Sequence, residues 1–220
     1  MTSCESLADG AARRHLSIAG AFHPKAGSGL PEGTGTLVLL APGNDGYWVN
    51  VNSEPEFSDG AANPVDRWST RVIGDWATQL GATAHFPFGG PPYSPFLTWA
   101  LANGRAWASP TGPLVHDTFG MMISYRGALA LPERLDIPAP SPNPCTTCAE
   151  KPCLTACPVG ALSAHAPYDV PVCKAHIGSV AGRACLSTGC LTRRACPVSL
   201  GAGRAEAQSA HHMAAFLGAR

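Results

Sequence analysis

The first 140 residues combine two spacings of apolar side chains. Residues 36–41 form an apolar run that ends at a turn-forming segment, residues 42–46, as is typical of a buried strand. Residues 47–51 show the alternation of a half-buried strand. Two successive strands are therefore predicted in this region.

A helical spacing begins at Asn63. Asn63 and Pro64 read as an N-cap followed by a first-turn proline, and the predicted helix ends near Leu80 and Gly81. Its apolar side chains recur every three or four residues, at Val65, Trp68, Val72, Trp76 and Leu80. We interpret the two tryptophans as core residues, with a platform for a cofactor as the alternative.

Four further elements complete the prediction. Residues 82–88 predict a strand and residues 94–104 a short helix that begins at a Ser-Pro pair. Residues 118–131 are mostly apolar with two glycines, which predicts a bent or paired strand, and residues 205–217 predict a closing helix. Strands that alternate with helices indicate an α/β N-terminal half within a chain of α+β class.

A proline-rich segment divides the chain. Five prolines lie between residues 131 and 144, as in an extended and fairly stiff connector. We therefore predict an N-terminal domain at residues 1–135, a linker at 136–144 and a small loop-rich domain at 145–220. Its cysteines leave little room for regular structure, so we expect bound metal to hold this last domain together.

Eight of the nine cysteines lie in that C-terminal domain. The densest run reads Cys145-x2-Cys148-x4-Cys153-x3-Cys157-Pro158. Closely spaced cysteines let one loop supply several thiolates to a [4Fe–4S] cluster at little entropic cost, with another ligand arriving from afar. This run is therefore an iron–sulfur signature.

A second Cys-Pro pair extends the pattern. Cys196-Pro197-Val198 repeats Cys157-Pro158-Val159, and the remaining cysteines of the domain are Cys173, Cys185 and Cys190. Eight thiols suffice for two clusters. The spacing of the later cysteines is irregular, and His176 is a candidate ligand of a different site, so the sequence predicts one or two clusters.

Disulfides and zinc are the competing interpretations. Disulfides belong to oxidising compartments, and neither the odd cysteine count nor any export signal supports them. Zinc sites repeat a short Cys-x2-Cys spacing, which the partner cysteines here do not.

The net charge of zero conceals an asymmetry. Residues 1–140 carry 8 Lys or Arg against 12 Asp or Glu, whereas residues 141–220 carry 7 against 3. A basic surrounding would offset the negative charge of a thiolate-bound cluster. The basic residues are scattered and form no stripe with aromatic residues, which argues against a nucleic-acid partner.

The sequence also bears on location. Arg13 and Arg14 precede the apolar residues 16–22 as in a twin-arginine export signal, but that stretch is too short and no cleavage site follows it convincingly. No run of ~18 apolar residues is available to cross a membrane. We expect a cytoplasmic protein without a membrane partner.

Several of these stretches together resemble epoxyqueuosine reductase and, more distantly, the corrinoid reductive dehalogenases. The resemblance covers about residues 30–200 and is carried by residues 114–120, residues 127–129, the proline-rich link and residues 145–162. It implies a nitroreductase-like, cobalamin-binding N-terminal half and a ferredoxin-like half with two [4Fe–4S] clusters that supply electrons to the corrinoid.

The resemblance also implies residue roles. It assigns Cys145, Cys148, Cys153 and Cys196 to one cluster and Cys157, Cys173, Cys185 and Cys190 to the other. Asp66 holds a place loosely similar to the family's catalytic aspartate, although an acidic residue in a first helical turn is also simply favourable. His116 is a candidate to face a cofactor or else an ordinary hydrogen-bonded histidine.

This chain departs from the family in four ways, one of which is the lack of the family's longer glycine-rich approach to the apolar strand. Four residues instead of two separate Cys148 from Cys153, and Arg193 lies near where a cysteine is expected. The helical-repeat tail that epoxyqueuosine reductases use with transfer RNA has no counterpart in this sequence.

These observations predict one-electron transfer by a ferredoxin-like protein, with redox donor and acceptor proteins as partners. The alternative is a corrinoid- or flavin-dependent reductase, with cobalamin or a flavin in the N-terminal half and the clusters as its electron supply. A scaffold, or a sensor that responds to cluster loss, is a third interpretation. The oligomeric state is left open.

Overall fold

The computed structural model describes residues 3–25, 27–43 and 46–218. In these ranges the strands are β1 (Leu16–Phe22), β2 (Thr36–Pro42), β3 (Thr83–His85), β4 (Ala106–Ala108), β5 (Leu114–His116) and β6 (Gly127–Leu131). The α-helices are α1 (Cys4–Ala12), α2 (Tyr47–Val51), α3 (Pro64–Leu80), α4 (Phe96–Ala102), α5 (Pro144–Thr147), α6 (Val170–Ile177), α7 (Arg183–Thr188), α8 (Leu191–Ala195) and α9 (Glu206–Leu217). The mixed α and β content agrees with the predicted α+β class.

The chain divides into two compact units. The first comprises Met1–Arg105 and Ser124–Ser141, and the second comprises Ala106–Ile123 and Pro142–Arg220. The division at residue 141 falls inside the proline-rich segment. Residues 106–123, which the sequence analysis assigned to the N-terminal domain, group with the cysteine-rich residues.

The first unit is built on an antiparallel sheet with strand order β1-β2-β6-β3. The apolar run predicted as a strand is β2, and it is buried along nearly its whole length. Val38 of β2 faces Leu129 of β6, which also faces Ala84 of β3. The short apolar stretch that follows the two arginines is strand β1 at the edge of this sheet.

The predicted bounds of helix α3 are confirmed. It runs from Pro64 to Leu80, with Asn63 and Gly81 as its caps. Trp68 and Trp76 are buried at 2% and 4% exposure, as the core interpretation requires. They pack in a core to which α1, α2, β2 and β6 contribute, including Leu7, Tyr47, Val51, Val38, Leu40, Leu129 and Leu131.

The strand predicted at residues 47–51 is wrong, because this segment is helix α2. A strand would place Tyr47, Val49 and Val51 on one face, but Val49 is 76% exposed while the other two are buried. Burial of residues four apart is the helical spacing. A five-residue stretch is too short for sequence alone to separate the two periods. Residues 44 and 45 of the predicted turn lie outside the described residues.

Two other predicted strands are shorter than expected. Of residues 82–88, only Thr83–His85 form β3. The strand is short because its antiparallel partner β6 begins at Gly127, and His85 already pairs with Ala128, the second residue of β6. Of residues 118–131, only Gly127–Leu131 form β6. The helices predicted at residues 94–104 and 205–217 are confirmed as α4 and α9.

The second unit contains the hairpin β4–β5 and a tight turn after it. His116 and Gly120 exchange backbone hydrogen bonds of 2.9 and 3.0 Å across this turn. Gly120 has φ +54°, and a Cβ there would lie 2.4 Å from the backbone nitrogen of Ser199, so a side chain would force the two segments apart. The rest of this unit consists of short helices joined by loops.

Candidate metal centres

Short helical turns present the first set of cysteines, Cys145, Cys148, Cys153 and Cys196. Helix α5 holds Cys145, and Cys148 caps its end. The Asn143 side chain caps the start by accepting the Cys145 backbone N–H at 2.9 Å. Cys153 lies in the 3-10 turn Pro152–Leu154, and Cys196 follows α8.

These four side chains line one cavity of about 370 Å³. Cys153 and Cys196 are buried at 7% and 8% exposure and pack with Val115 and Met121. The contact with Val115, in β5, explains why residues 106–123 belong to this unit. The first set therefore lies in an open recess with a mainly apolar lining.

The thiols of the first set influence one another electrostatically. Burial raises the pKa of Cys145 and Cys153, and other cysteines of the same set raise these pKa values further. The nearby Lys151 ammonium lowers both pKa values. A cation bound among these thiols would favour their deprotonated forms.

The second set is Cys157, Cys173, Cys185 and Cys190. Cys173 lies in α6, where the Asp169 side chain caps the first turn by accepting the Val172 N–H at 3.0 Å. Cys185 lies in α7, and Cys190 is the N-cap residue of α8. Helix α8 thus begins at a cysteine of the second set and ends at one of the first.

The second set lines a different and smaller cavity, of about 20 Å³, which has room for about one water molecule. His176 and Thr192 also line it, together with the apolar side chains Leu162, Ile177 and Met213. The histidine singled out in the sequence analysis thus lies beside four cysteines rather than at a separate site.

Hydrogen bonds lower the pKa of two thiols of the second set, as a backbone hydrogen bond does for Cys153 of the first. Burial raises the pKa of Cys173 and Cys185, and other thiols of this set raise it further. The Tyr168 hydroxyl bonds to the Cys173 sulfur, and the Leu191 backbone N–H bonds to the Cys185 sulfur; both bonds lower the pKa of the thiol concerned. The thiolates that raise the pKa of Cys173 and Cys185 all belong to the second set.

A site for a single metal ion would need several ligand side chains close together. No group of three or more His, Cys, Asp or Glu side chains in the described part of the chain is arranged to hold a metal ion. The ninth cysteine, Cys4, lies in the first unit, where its thiol donates to the backbone oxygen of Asp136 at 3.0 Å.

Arg193 has a structural role that the sequence analysis missed. Its guanidinium donates to the backbone oxygens of Met121 and Ile123, the latter at 3.0 Å. Burial lowers its pKa. Arg193 therefore ties α8 to the segment after β5 at the position where the family resemblance leads one to expect a cysteine.

Asp66 and His116 occupy ordinary structural environments. Asp66 lies in the first turn of α3, as predicted, and accepts a hydrogen bond from Arg126 at 3.3 Å. His116 is fully buried, and its Nδ1 accepts the Thr118 backbone N–H at 3.1 Å. The hydrogen-bonded interpretation of His116 therefore agrees with its surroundings.

The first unit has a cavity of its own, of about 330 Å³. Leu7, Leu16 and Val38 form part of its apolar lining, and Asn103 and Arg105 add polar groups. Asp66 is not part of this lining. The cavity offers an apolar recess with a cation but no acid–base pair.

Comparisons with protein-family models, with curated proteins and with solved structures find no match for this chain. Among the described helices, none combines the length and the apolar composition that a membrane span requires.

Proposed function

We propose that this protein is a ferredoxin-like iron–sulfur protein that carries out one-electron transfer. Cys145, Cys148, Cys153 and Cys196 would hold one [4Fe–4S] cluster, and Cys157, Cys173, Cys185 and Cys190 would hold a second. When bound, such a cluster accepts and releases one electron at a time. The partners would be redox donor and acceptor proteins.

The observation that carries this proposal is that four cysteines line each of two cavities. Soft thiolate ligands in an apolar surrounding suit iron–sulfur clusters. In a [4Fe–4S] cluster each thiolate binds a different iron, so the ligands surround a cage rather than converge on one ion. Side chains arranged around a cluster therefore need not be close enough together to bind a single metal ion.

The two cavities fit a cluster unequally. The first, at about 370 Å³, is already an open recess, whereas the second, at about 20 Å³, requires its four thiols to move apart around a bound cluster. The buried Thr192 hydroxyl, which has no hydrogen-bond partner among the described residues, suits a group that brings sulfur acceptors into the second cavity. We accordingly expect the first site to fill more readily.

The protein's own residues would control assembly. Each thiol must lose its proton to bind iron, and burial raises the pKa of four of the eight. Iron binding therefore releases protons, and we expect acidic pH to oppose cluster assembly. The Lys151 ammonium would favour the thiolate forms of the first set.

Protein purified without air tests the proposal. We expect about four iron and four sulfide per cluster, and a broad visible absorption that bleaches on reduction. The matched variants Cys145→Ser and Cys173→Ser should each remove one cluster and leave the other. Cys4→Ser, which alters the cysteine of the first unit, should retain all of the iron. A colourless protein loaded with zinc would refute the proposal.

A corrinoid- or flavin-dependent reductase is the second candidate, favoured by the separate cavity of the first unit. Its 330 Å³ lies at the lower end of ligand pockets and suits a flavin ring better than a corrinoid. Cobalamin and a flavin, added separately, should then be retained in stoichiometric amounts after gel filtration. Because Asp66 does not line this cavity, Asp66→Asn should leave that retention unchanged, and loss of retention would favour the role that the family resemblance implies for Asp66.

A further inference from the structure

Two hydroxyl groups distinguish the second set of cysteines from the first. Thr192 is fully buried and lines the cavity of the second set. Its Oγ1 has no hydrogen-bond partner among the described residues. A buried hydroxyl left unpaired is costly, so a partner absent from the protein chain is expected at this position.

The position of Thr192 explains why its hydroxyl has no partner within its own helix. Helical threonines commonly bond to the carbonyl three or four residues earlier, as Thr188 does to Ala184 at 2.8 Å. Thr192 is the second residue of α8, so the carbonyls three and four residues earlier precede that helix. Its hydroxyl is left without a partner among the described residues, in a side chain that lines the second cavity.

Tyr168 contributes the second hydroxyl. Hydrogen bonding from its OH lowers the pKa of the Cys173 thiol, which places the hydroxyl beside that sulfur. Its ring, which is 41% exposed, stacks on Phe216 with a centroid distance of 6.3 Å. This stacking holds the phenol at the edge of the site and limits its freedom to leave the sulfur.

The first set has no equivalent donors among its lining hydroxyls. Thr147 directs its hydroxyl to the Pro144 carbonyl, and Ser109 pairs with Thr111, each at 3.4 Å. The positive group near the first set is Lys151, whose side chain belongs to an exposed residue. Water and salt screen such a charge, whereas a hydrogen bond from the fully buried hydroxyl of Thr192 keeps its strength.

We propose that the hydroxyls of Tyr168 and Thr192 donate hydrogen bonds to sulfur atoms of the second cluster and raise its reduction potential above that of the first. The inference rests on the proposed function. Reduction takes one electron from an external reductant and adds one negative charge to the cluster. Donors aimed at its sulfurs stabilise the more negative state. At equilibrium the electron therefore resides mainly on the second cluster.

Redox titration of air-free protein with dithionite, followed by electron paramagnetic resonance, tests this order. The cluster signal missing from Cys173→Ser identifies the second cluster. We expect Tyr168→Phe and Thr192→Val each to lower its potential, with the reduction equilibrium changing about tenfold, which is 59 mV for one electron. Thr147→Val, whose hydroxyl already bonds to a carbonyl, should leave both potentials unchanged.

The outcomes separate the two proposals. Wild-type protein without iron and sulfide would refute the proposed function and this inference with it. Intact clusters whose potentials do not move in Tyr168→Phe and Thr192→Val would refute the inference alone, as would a first cluster of higher potential. Thr192→Ser keeps the hydroxyl and should restore the wild-type potential. If Thr192→Val fails to assemble the second cluster, Tyr168→Phe at the exposed edge decides the question.

Discussion

The two units of this chain use different sources of cohesion. In the first unit, an antiparallel sheet and helix α3 enclose large apolar side chains such as Trp68, Leu40 and Leu129. In the second unit, short helices place polarisable thiols where a core would otherwise be, and Cys153 and Cys196 are themselves among its buried residues. The comparison teaches that the first unit has an apolar core on which to fold, whereas under the proposed function we expect the second to be completed by a bound ligand.

Removal of iron should give the largest difference in stability between the two units. Stripping the metal with a chelator under reducing conditions should lower amide-exchange protection in helices α6 to α9 roughly 10³-fold or more, because metal binding supplies folding free energy there. Strands β2 and β6 should keep their protection, since their core contains no proposed ligand. Hydrogen exchange followed by mass spectrometry measures both regions in one sample. Undiminished protection in α6 to α9 would contradict the comparison.

A mutation in the apolar core should destabilise the first unit and leave the iron sites unaffected. Trp68→Ala removes a ring that is only 2% exposed and should cost about 3–5 kcal/mol of unfolding free energy in the first unit. Iron content should not change. Leu97→Ala, at a residue that is 62% exposed, is the control and should cost less than ~0.5 kcal/mol. Urea unfolding followed by circular dichroism, with iron analysis, checks both variants; parallel loss of iron would show that the units are not separate in stability.

The ion pair between Arg71 and Glu56 should give the smallest effect, and only at acidic pH. Arg71 donates to Glu56 at 2.6 Å, and this hydrogen bond lowers the pKa of Glu56 below the ordinary value of 4.5. The stabilisation is therefore present above pH 4.5 and is lost as pH falls through the lower, folded-state pKa. Glu56→Gln should flatten this acid limb of the unfolding free energy of the first unit, and Glu32→Gln, on an exposed residue, should not. An unchanged acid limb in Glu56→Gln would show that the ion pair contributes nothing.

The elements that were predicted well are those with long or doubly marked patterns. Helix α3 has five apolar side chains at helical spacing, a proline at its first position and Gly81 after its last, so its bounds follow from local sequence, although the Asn63 side chain makes no capping hydrogen bond. Helix α2 was misread, since five residues fit both a strand and a helix until burial of Tyr47 and Val51 decides. Strand β3 was predicted too long because its length depends on where β6 begins, which no local pattern encodes.

The candidate ligands follow from composition and spacing, because thiol chemistry and short loops act over a few residues. Which cysteines share a cavity does not follow from spacing. Cys157, only four residues after Cys153, lines the second cavity, whereas Cys196, more than forty residues away, lines the first. The family resemblance implied this division, but no spacing rule dictates it. Tyr168 lies five residues before Cys173 and Thr192 two residues after Cys190, so each is near its cysteine through local sequence. How the distant helices α6, α7 and α8 meet decides instead that Cys173, Cys185 and Cys190 line one cavity.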